Sequence, residues 1–435
     1  MNYKIIHGVL LLPSPDGYTT EKKTIYIEGN RISRITDPME DASFSVDAPS
    51  KEKSFETIDA SGKLIIPGLI NMHTHVYMTI MRNYADDLPF DKWLFQKVMP
   101  VEDHLPRECA YWGSLLGLIE MIQTGTSCFV DMHMYHEQSP KAASTAGLRA
   151  YIGRGLVGED LYDDGRRFRE AIEEKEKYAN DLLSFVLSPH AVYTCSRKLL
   201  SQVTVEAQKH GMLKQIHLSE SKNEVENCLK ENGITPVELL QQIGFLDQET
   251  ILAHCVHLRG DDIGILARTG ASVVTNPASN CKLGNGFAPI GQIRQAGINI
   301  CLGTDGAASN NSLNLFREMG LLTMIHKGIS EDPTMAPAPF IIDSVTRNAA
   351  AALGREGELG VIAENALADL VFLDMNSVSL FPANNPLSAL CYSANGSEVD
   401  SLMVNGRFLM RKREMLTIDT ERVYYEVGKI IDSQL

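Results

Sequence analysis

The stretch LINMHTHVYMT, residues 69–79, sets two histidines one residue apart at the end of an apolar run. Alternate residues of a strand share a face, so His73 and His75 project side by side with Thr74 turned away. Two imidazoles on one face can hold a metal or line a polar cleft, and the same pair in a surface loop would do neither. Other apolar runs end in the same kind of residue: His190 in LSPHAVY, His217 and Glu220 in QIHLSE, His254 and His257 in ILAHCVH, and Asp305 in LGTDGA. Any one of these is ordinarily a hydrogen-bonded core or loop residue. Together they form the donor set of a hydrolytic metal site, because imidazole nitrogens with one carboxylate suit Zn²⁺ or Fe²⁺ and an open position admits water. On this reading His73, His75, His217 and Asp305 are the ligands. His254 and Glu220 stand beside the metal, and Glu220, three residues past His217, approaches a water there without ligating. His133 and His136, in VDMHMYHE, and His257 read as structural or supporting residues.

Such residues need a scaffold that brings distant segments to one point. The middle of the chain alternates between strand-length apolar runs and helix-like stretches. The runs are LIIPGLINMHTH, SCFVDMHMY, RAYIGRGL, LSFVLSPHAVY, LKQIHLSE, TILAHCVHL, ASVVTNPASN and NICLGTDGA. Between them lie segments such as AYWGSLLGLIEMIQTG and RKLLSQVTVEAQKHG, whose terminal glycines are normal helix stops. Continuous rather than alternating apolar strands fit a parallel sheet covered on both faces, and eight of them separated by helices predict an α/β fold of the (β/α)8 TIM-type barrel. In that fold chemistry sits at the C-terminal strand ends, which is where the histidines fall. Both chain ends are β-rich with Gly or Asn turn signals, and neither is long enough to bury a core alone. The expected organisation is residues 1–63 as the first part of a small β-sandwich, 64–360 as the barrel, and 361–435 as the rest of the sandwich with a C-terminal helix.

Composition narrows the function. The chain has 435 residues with 44% hydrophobic and 22% charged, as globular proteins do. A formal net charge of -15 argues against nucleic-acid or anionic-membrane partners, since both need basic surface. No apolar run reaches the ~20 residues of a membrane span. The opening MNYKIIHGVLLL reads as strand rather than leader, having an internal histidine and no small-residue cleavage site. Eight scattered cysteines with no C-x-x-C pattern point to a reduced, cytoplasmic protein.

The set HTH, HLSE, AHCVH and GTDGAASNNSLNLF, with NPASNCKLGNG and PFDKWLFQKVMPVED between, resembles the amidohydrolase superfamily. More narrowly it resembles the deaminases of S-adenosylhomocysteine and 5'-methylthioadenosine. The resemblance spans nearly the whole chain. It implies one divalent ion per chain, zinc ahead of iron, because the fourth strand offers His190 and no lysine to bridge a second ion. It implies hydrolytic deamination at C6 of an adenine ring, with adenosine or 5'-deoxyadenosine as further substrates. Asp305 would take the water's proton, Glu220 would protonate ring N1, and His254 would hold the attacking oxygen. His190 would contact the adenine, Glu102 the ribose hydroxyls, and Trp93 the ribose and 5'-substituent. Arg154 and Arg166 would hold an amino-acid carboxylate, for which a guanidinium fork is suited.

Two other readings use the same residues. A guanine-type deaminase or an s-triazine hydrolase would leave Glu102 and the arginines with nothing to bind. A non-catalytic metal protein would have no use for Glu220 and His254. The partner implied is a small nucleoside; the sequence leaves a homo-oligomer open.

Overall fold

The computed structural model describes residues 2–15, 17–38, 54–162 and 165–434. Eight parallel strands make up the central sheet: β1 Leu69–Thr74, β2 Thr126–His133, β3 Arg149–Leu156, β4 Leu183–Pro189, β5 Leu213–Leu218, β6 Thr250–His254, β7 Ser272–Thr275 and β8 Ile300–Leu302. They pair in sequence order, as the short right-handed β-to-α crossovers of this fold require. Every residue of β2 and β3 is buried, which explains why neither strand alternates apolar positions with solvent-facing ones. Alternation sends Phe129, Ile152, Ile216 and Leu252 to the surrounding helices. It sends Cys128, Val130, Val186, Ile251 and Val274 to a second cluster that fills the barrel.

The ring closes where β8 returns to β1. The amides of Thr304 and Asp305 both donate to the His73 carbonyl, at 3.1 and 2.9 Å. Asn71 donates to the Thr304 hydroxyl at 2.7 Å. Gly303 makes this seam possible, because a Cβ there would lie 2.9 Å from both the backbone N and O of His73. Closure therefore carries Asp305 to the histidines of β1.

The chain ends meet in two further sheets. Lys63–Pro67 pairs in parallel with Val9–Ser14 and antiparallel with Leu370–Asp374, which joins the N- and C-terminal segments in a seven-stranded sheet. Lys63–Pro67, at the junction expected from sequence, is thus a strand of this sheet, and the barrel's own first strand begins at Leu69. A four-stranded sheet of Asn2–Ile6, Thr24–Glu28, Arg31–Thr36 and Glu56–Asp59 packs on it. Tyr3, Ile25 and Ile27 share one core with Ile65, Leu370 and Phe372. The C-terminal helix, Thr420–Gln434, lies against the helix Arg107–Gln123 of the barrel.

Arg149, at the start of β3, ties the two units together. It forms a two-pronged pair with Asp369, Nε to Oδ2 at 2.9 Å and Nη2 to Oδ1 at 3.2 Å, and also donates to the Asp181 carbonyl at 2.7 Å. Both side chains are buried. Removing one partner strands a buried charge, so Arg149→Met is expected to cost about 3–5 kcal/mol, read as a clear fall in Tm. Adding Asp369→Leu should recover most of that loss. A single variant that melts with the wild type would show that the pair does not hold the units together.

Candidate active site

Strand ends, or the turns just beyond them, supply the histidines at the barrel mouth together with Glu220 and Asp305. His73 lies near the end of β1, and His75 follows it as the chain enters a short 3₁₀ turn, Val76–Met81. His190 follows β4, His217 lies in β5 with Glu220 just beyond it, His254 ends β6 and Asp305 follows β8. Ser219, His254, Cys255 and Asp305 have φ between +49° and +74°, a left-handed backbone that non-glycine residues seldom adopt. Strain of this kind is held only where the surroundings fix it, and here it sits at the site.

Hydrogen bonds fix the imidazoles. His75 Nδ1 lies 2.7 Å from the Met132 carbonyl and His217 Nδ1 lies 2.7 Å from the His190 carbonyl. A carbonyl only accepts, so both Nδ1 atoms carry the proton and both Nε2 atoms present a lone pair. Those Nε2 atoms are 3.2 Å apart, and His73 Nε2 is 3.1 Å from His217 Nε2. Asp305 Oδ1 lies 3.3 Å from His75 Nε2 and 3.6 Å from His73 Nε2. Lone pairs this close repel unless a positive charge lies between them. Four ligands about 2.0–2.1 Å from a tetrahedral zinc are themselves about 3.3 Å apart, and the observed spacings match. The donor set therefore fits a divalent ion.

The charge states agree. Burial works against ionisation of Asp305, but its hydrogen bonds with His73 and His75 hold its carboxyl well below the usual range. Burial draws His73 down to about 4, and it drives His217, also next to His190, well below the ordinary imidazole value. Burial opposes charge on His75 as well, yet Asp305 lifts it to about 9. The site thus favours positive charge beside Asp305, and a divalent ion would supply it.

The possible ligand atoms of His73, His217, His254 and Asp305 all lie within 4.8 Å of one another. That group contains His254 in place of His75. We favour His75 as the ligand, because its Nε2 makes ligand-edge distances to two members. His254 is held otherwise: Nδ1 donates to Asn280 Oδ1 at 2.8 Å, while the buried Nε2 has no hydrogen-bond partner and lies 3.8 Å from Glu220 Oε2. Burial, and then the charge of Asp305, push Glu220 well above the usual carboxyl range. Asn285 donates to Glu220 Oε1 at 3.1 Å. Below it, Glu224 accepts the amides of Ser219 and Glu220 at 2.9 and 2.8 Å and so fixes the turn.

These groups open into a cavity that Trp93, Glu102 and His190 also line. Burial draws His190 down to about 3, so it is neutral, and its Nδ1 is 3.0 Å from the Thr194 hydroxyl. The arginines differ from the sequence expectation. Arg154 is buried and does not line the cavity: it is paired with Glu170 at 2.8 Å and donates to the His133 carbonyl at 3.3 Å. Arg166 is exposed at the start of the helix Arg166–Tyr178 and lies off the cavity. Its neighbour Arg167 lines it. Among the described residues Arg167 has no carboxylate partner; it donates to the Gly155 carbonyl at 3.0 Å and to Met134 Sδ at 3.1 Å. Asp305 Oδ2 accepts hydroxyls from Ser279 and Ser309 at 2.6 and 2.7 Å, which orient its carboxylate. His133 is buried against Glu174 at 3.1 Å, His136 lies 3.6 Å from Glu173, and His257 Nε2 donates to the Asn285 carbonyl at 2.7 Å; none of the three lines the cavity.

A parallel eight-stranded barrel with this cage at its C-terminal mouth defines a metal-dependent barrel hydrolase. The chain belongs to the amidohydrolase family, whose model matches residues 64–409. It is 40% identical over 432 residues to a 5-methylthioadenosine/S-adenosylhomocysteine deaminase of Caldanaerobacter subterraneus subsp. tengcongensis, covering 98% of this chain and 97% of that one. It is 40% identical to a 5'-deoxyadenosine deaminase of Methanothermobacter thermautotrophicus over 95% of this chain and 94% of the other. Its fold matches the crystal structure of an adenosine deaminase from Xanthomonas campestris with bound zinc, with a TM-score of 0.91, 26% identity and 99% of each chain covered.

Substitution separates the two ligand sets. His75→Asn should lower the metal content of purified protein well below that of the wild type, whereas His254→Asn should keep the metal and lose turnover. Elemental analysis giving the reverse pattern would make His254 the ligand.

Proposed function

We propose that the protein hydrolyses the C6 amine of the adenine ring in 5'-methylthioadenosine and S-adenosylhomocysteine, giving ammonia and the inosine-type product. The observation that carries this reading is the pairing, in one cavity, of a buried carboxyl pushed well above its usual range, Glu220, with an imidazole whose inward nitrogen has no hydrogen-bond partner, His254. The named relatives support the substrate class. One zinc ion per chain, held by His73, His75, His217 and Asp305, would lower the pKa of a bound water from about 15.7 towards about 7. Iron(II) would suit the same donors.

The chain's own groups then divide the proton work. Glu220 gives its proton to ring N1, which leaves C6 open to attack by water. His254 Nε2 takes the proton that the water gives up, and Asn280 keeps Nδ1 protonated so that this lone pair stays inward. His254 passes that proton to the amine, the C6–N bond breaks as ammonia leaves, and the C6 hydroxyl gives its remaining proton to Glu220 as the carbonyl forms, which restores both groups. Asp305 serves as a ligand, its carboxylate oriented by Ser279 and Ser309.

Substrate contacts follow from the lining. Glu102 accepts the ribose hydroxyls, Trp93 walls the sugar and 5'-substituent, and His190, neutral, meets the base. The amino-acid carboxylate of S-adenosylhomocysteine goes to Arg167, in place of the expected Arg154 and Arg166. A chloro-triazine or guanine base would leave Glu102 and Arg167 unpaired. The eight free thiols fit a reducing compartment, and we place the reaction in the cytoplasm. No described helix is long and apolar enough to cross a membrane.

Glu220→Gln should retain the metal and lose kcat by on the order of 10²-fold or more. Near-normal turnover would remove Glu220 from the proton path. Arg167→Met should cut kcat/KM for S-adenosylhomocysteine by about 30-fold, with a much smaller loss for 5'-methylthioadenosine. Arg166→Met should leave both nearly unchanged. Equal losses on the two substrates in Arg167→Met would mean that this arginine supports the loop rather than the carboxylate.

A further inference from the structure

Glu102 lines the cavity, but the group that holds its carboxylate lies outside it. The hydroxyl of Tyr77 donates to Glu102 Oε1. Tyr77 is 1% exposed and does not line the cavity, so it meets the carboxylate from the side away from any ligand. Tyr77 belongs to the 3₁₀ turn Val76–Met81, directly after His75, so the hydrogen bond ties Glu102 to the segment that carries the metal histidines. A second tyrosine holds the backbone of the same residue: Tyr135, beyond β2, donates to the Glu102 carbonyl at 2.7 Å. The two rings pack edge to face, with centroids 5.3 Å apart at 73°. Glu102 sits near the C-terminal end of a continuous helical segment formed by Phe90–Trp93, the π-helical turn Leu94–Val98 and Met99–His104, and the two tyrosines fix its carboxylate and its carbonyl there.

We infer that Tyr77 is a positioning residue for sugar selectivity: its hydroxyl occupies one side of the Glu102 carboxylate and leaves the remaining lone pairs to the vicinal 2'- and 3'-hydroxyls of the ribose. This rests on the assignment of Glu102 to the ribose. An ionised carboxylate offers about four acceptor positions, enough for one tyrosine and two sugar hydroxyls. Burial works to raise the Glu102 carboxyl above its ordinary value, and the Tyr77 hydrogen bond acts to lower it. Without Tyr77, Glu102 would be a buried acceptor with a poorer hold on both its charge and its direction.

The test compares adenosine with 2',3'-dideoxyadenosine on zinc-loaded enzyme, for the wild type, Tyr77→Phe, Glu102→Gln and the double variant. Tyr77→Phe should lose about tenfold in kcat/KM on adenosine, the loss expected for one hydrogen bond to a charged group, and mostly in KM. Its loss on the dideoxy nucleoside should be under about twofold, its zinc content should equal that of the wild type, and it should add little to Glu102→Gln. Equal losses on both nucleosides, or loss of zinc, would overturn the inference and assign Tyr77 to support of the metal strand. If Glu102→Gln itself fails to discriminate between the sugars, the ribose assignment falls and takes this inference with it. A crystal structure of the wild-type enzyme with inosine decides the matter without a variant. Glu102 should accept Tyr77 and both sugar hydroxyls together, and a carboxylate that leaves Tyr77 to reach the sugar would overturn the inference.

Discussion

The direction in which two imidazoles point governs the rest of the site. His75 and His217 each give their Nδ1 proton to a backbone carbonyl at the end of another strand, Met132 and His190. Their other nitrogens must then face inward as bare lone pairs, 3.2 Å apart. The tautomers are set by the sheet, because the accepting carbonyls belong to the chain as it leaves β2 and β4. A cation between them would offset the resulting repulsion, and Asp305, brought to the same point by closure of β8 on β1, completes the donor set. Residues such as Gly303 that serve only the closing seam are therefore residues of the site.

Around this cage two carboxyls share one cavity and are driven to opposite states. Asp305 faces imidazoles and receives two serine hydroxyls and the Gly306 amide, so it stays ionised. Glu220 is buried with one amide donor and Asp305 nearby, which together push its carboxyl well above the usual range. Separated titration of neighbouring acids is how a fold assigns the acid at neutral pH. His254, held at Nδ1 by Asn280, would be the complementary base in the proposed reaction.

Much of this was legible in the sequence, for a physical reason. Parallel strands buried on both faces are mostly apolar, so His73, His190, His217, His254 and Asp305 stand out as interruptions at or just past strand ends. What escaped needed geometry. Arg166 and Arg167 are adjacent, yet the rotation of about 100° between successive helix residues exposes the first and places the second at the cavity. Which one faces in depends on where the helix begins, and GRRF does not encode that. Arg154 meets Glu170, a partner on the following helix. The motif NPASNCKLGNG was visible, but the roles of Asn280 and Asn285 were not, since each acts on a side chain from a distant strand. The Tyr77–Glu102 bond likewise joins segments whose contact exists only in the folded barrel.

Ammonia release by the same protein preparation, with and without divalent metal, across a panel of nucleosides and bases tests the central claim most directly. The account predicts metal-dependent deamination of 5'-methylthioadenosine and S-adenosylhomocysteine and no turnover of guanine or a chloro-triazine. Undiminished activity after exhaustive chelation, or turnover of guanine or the triazine with the adenine nucleosides untouched, would contradict it.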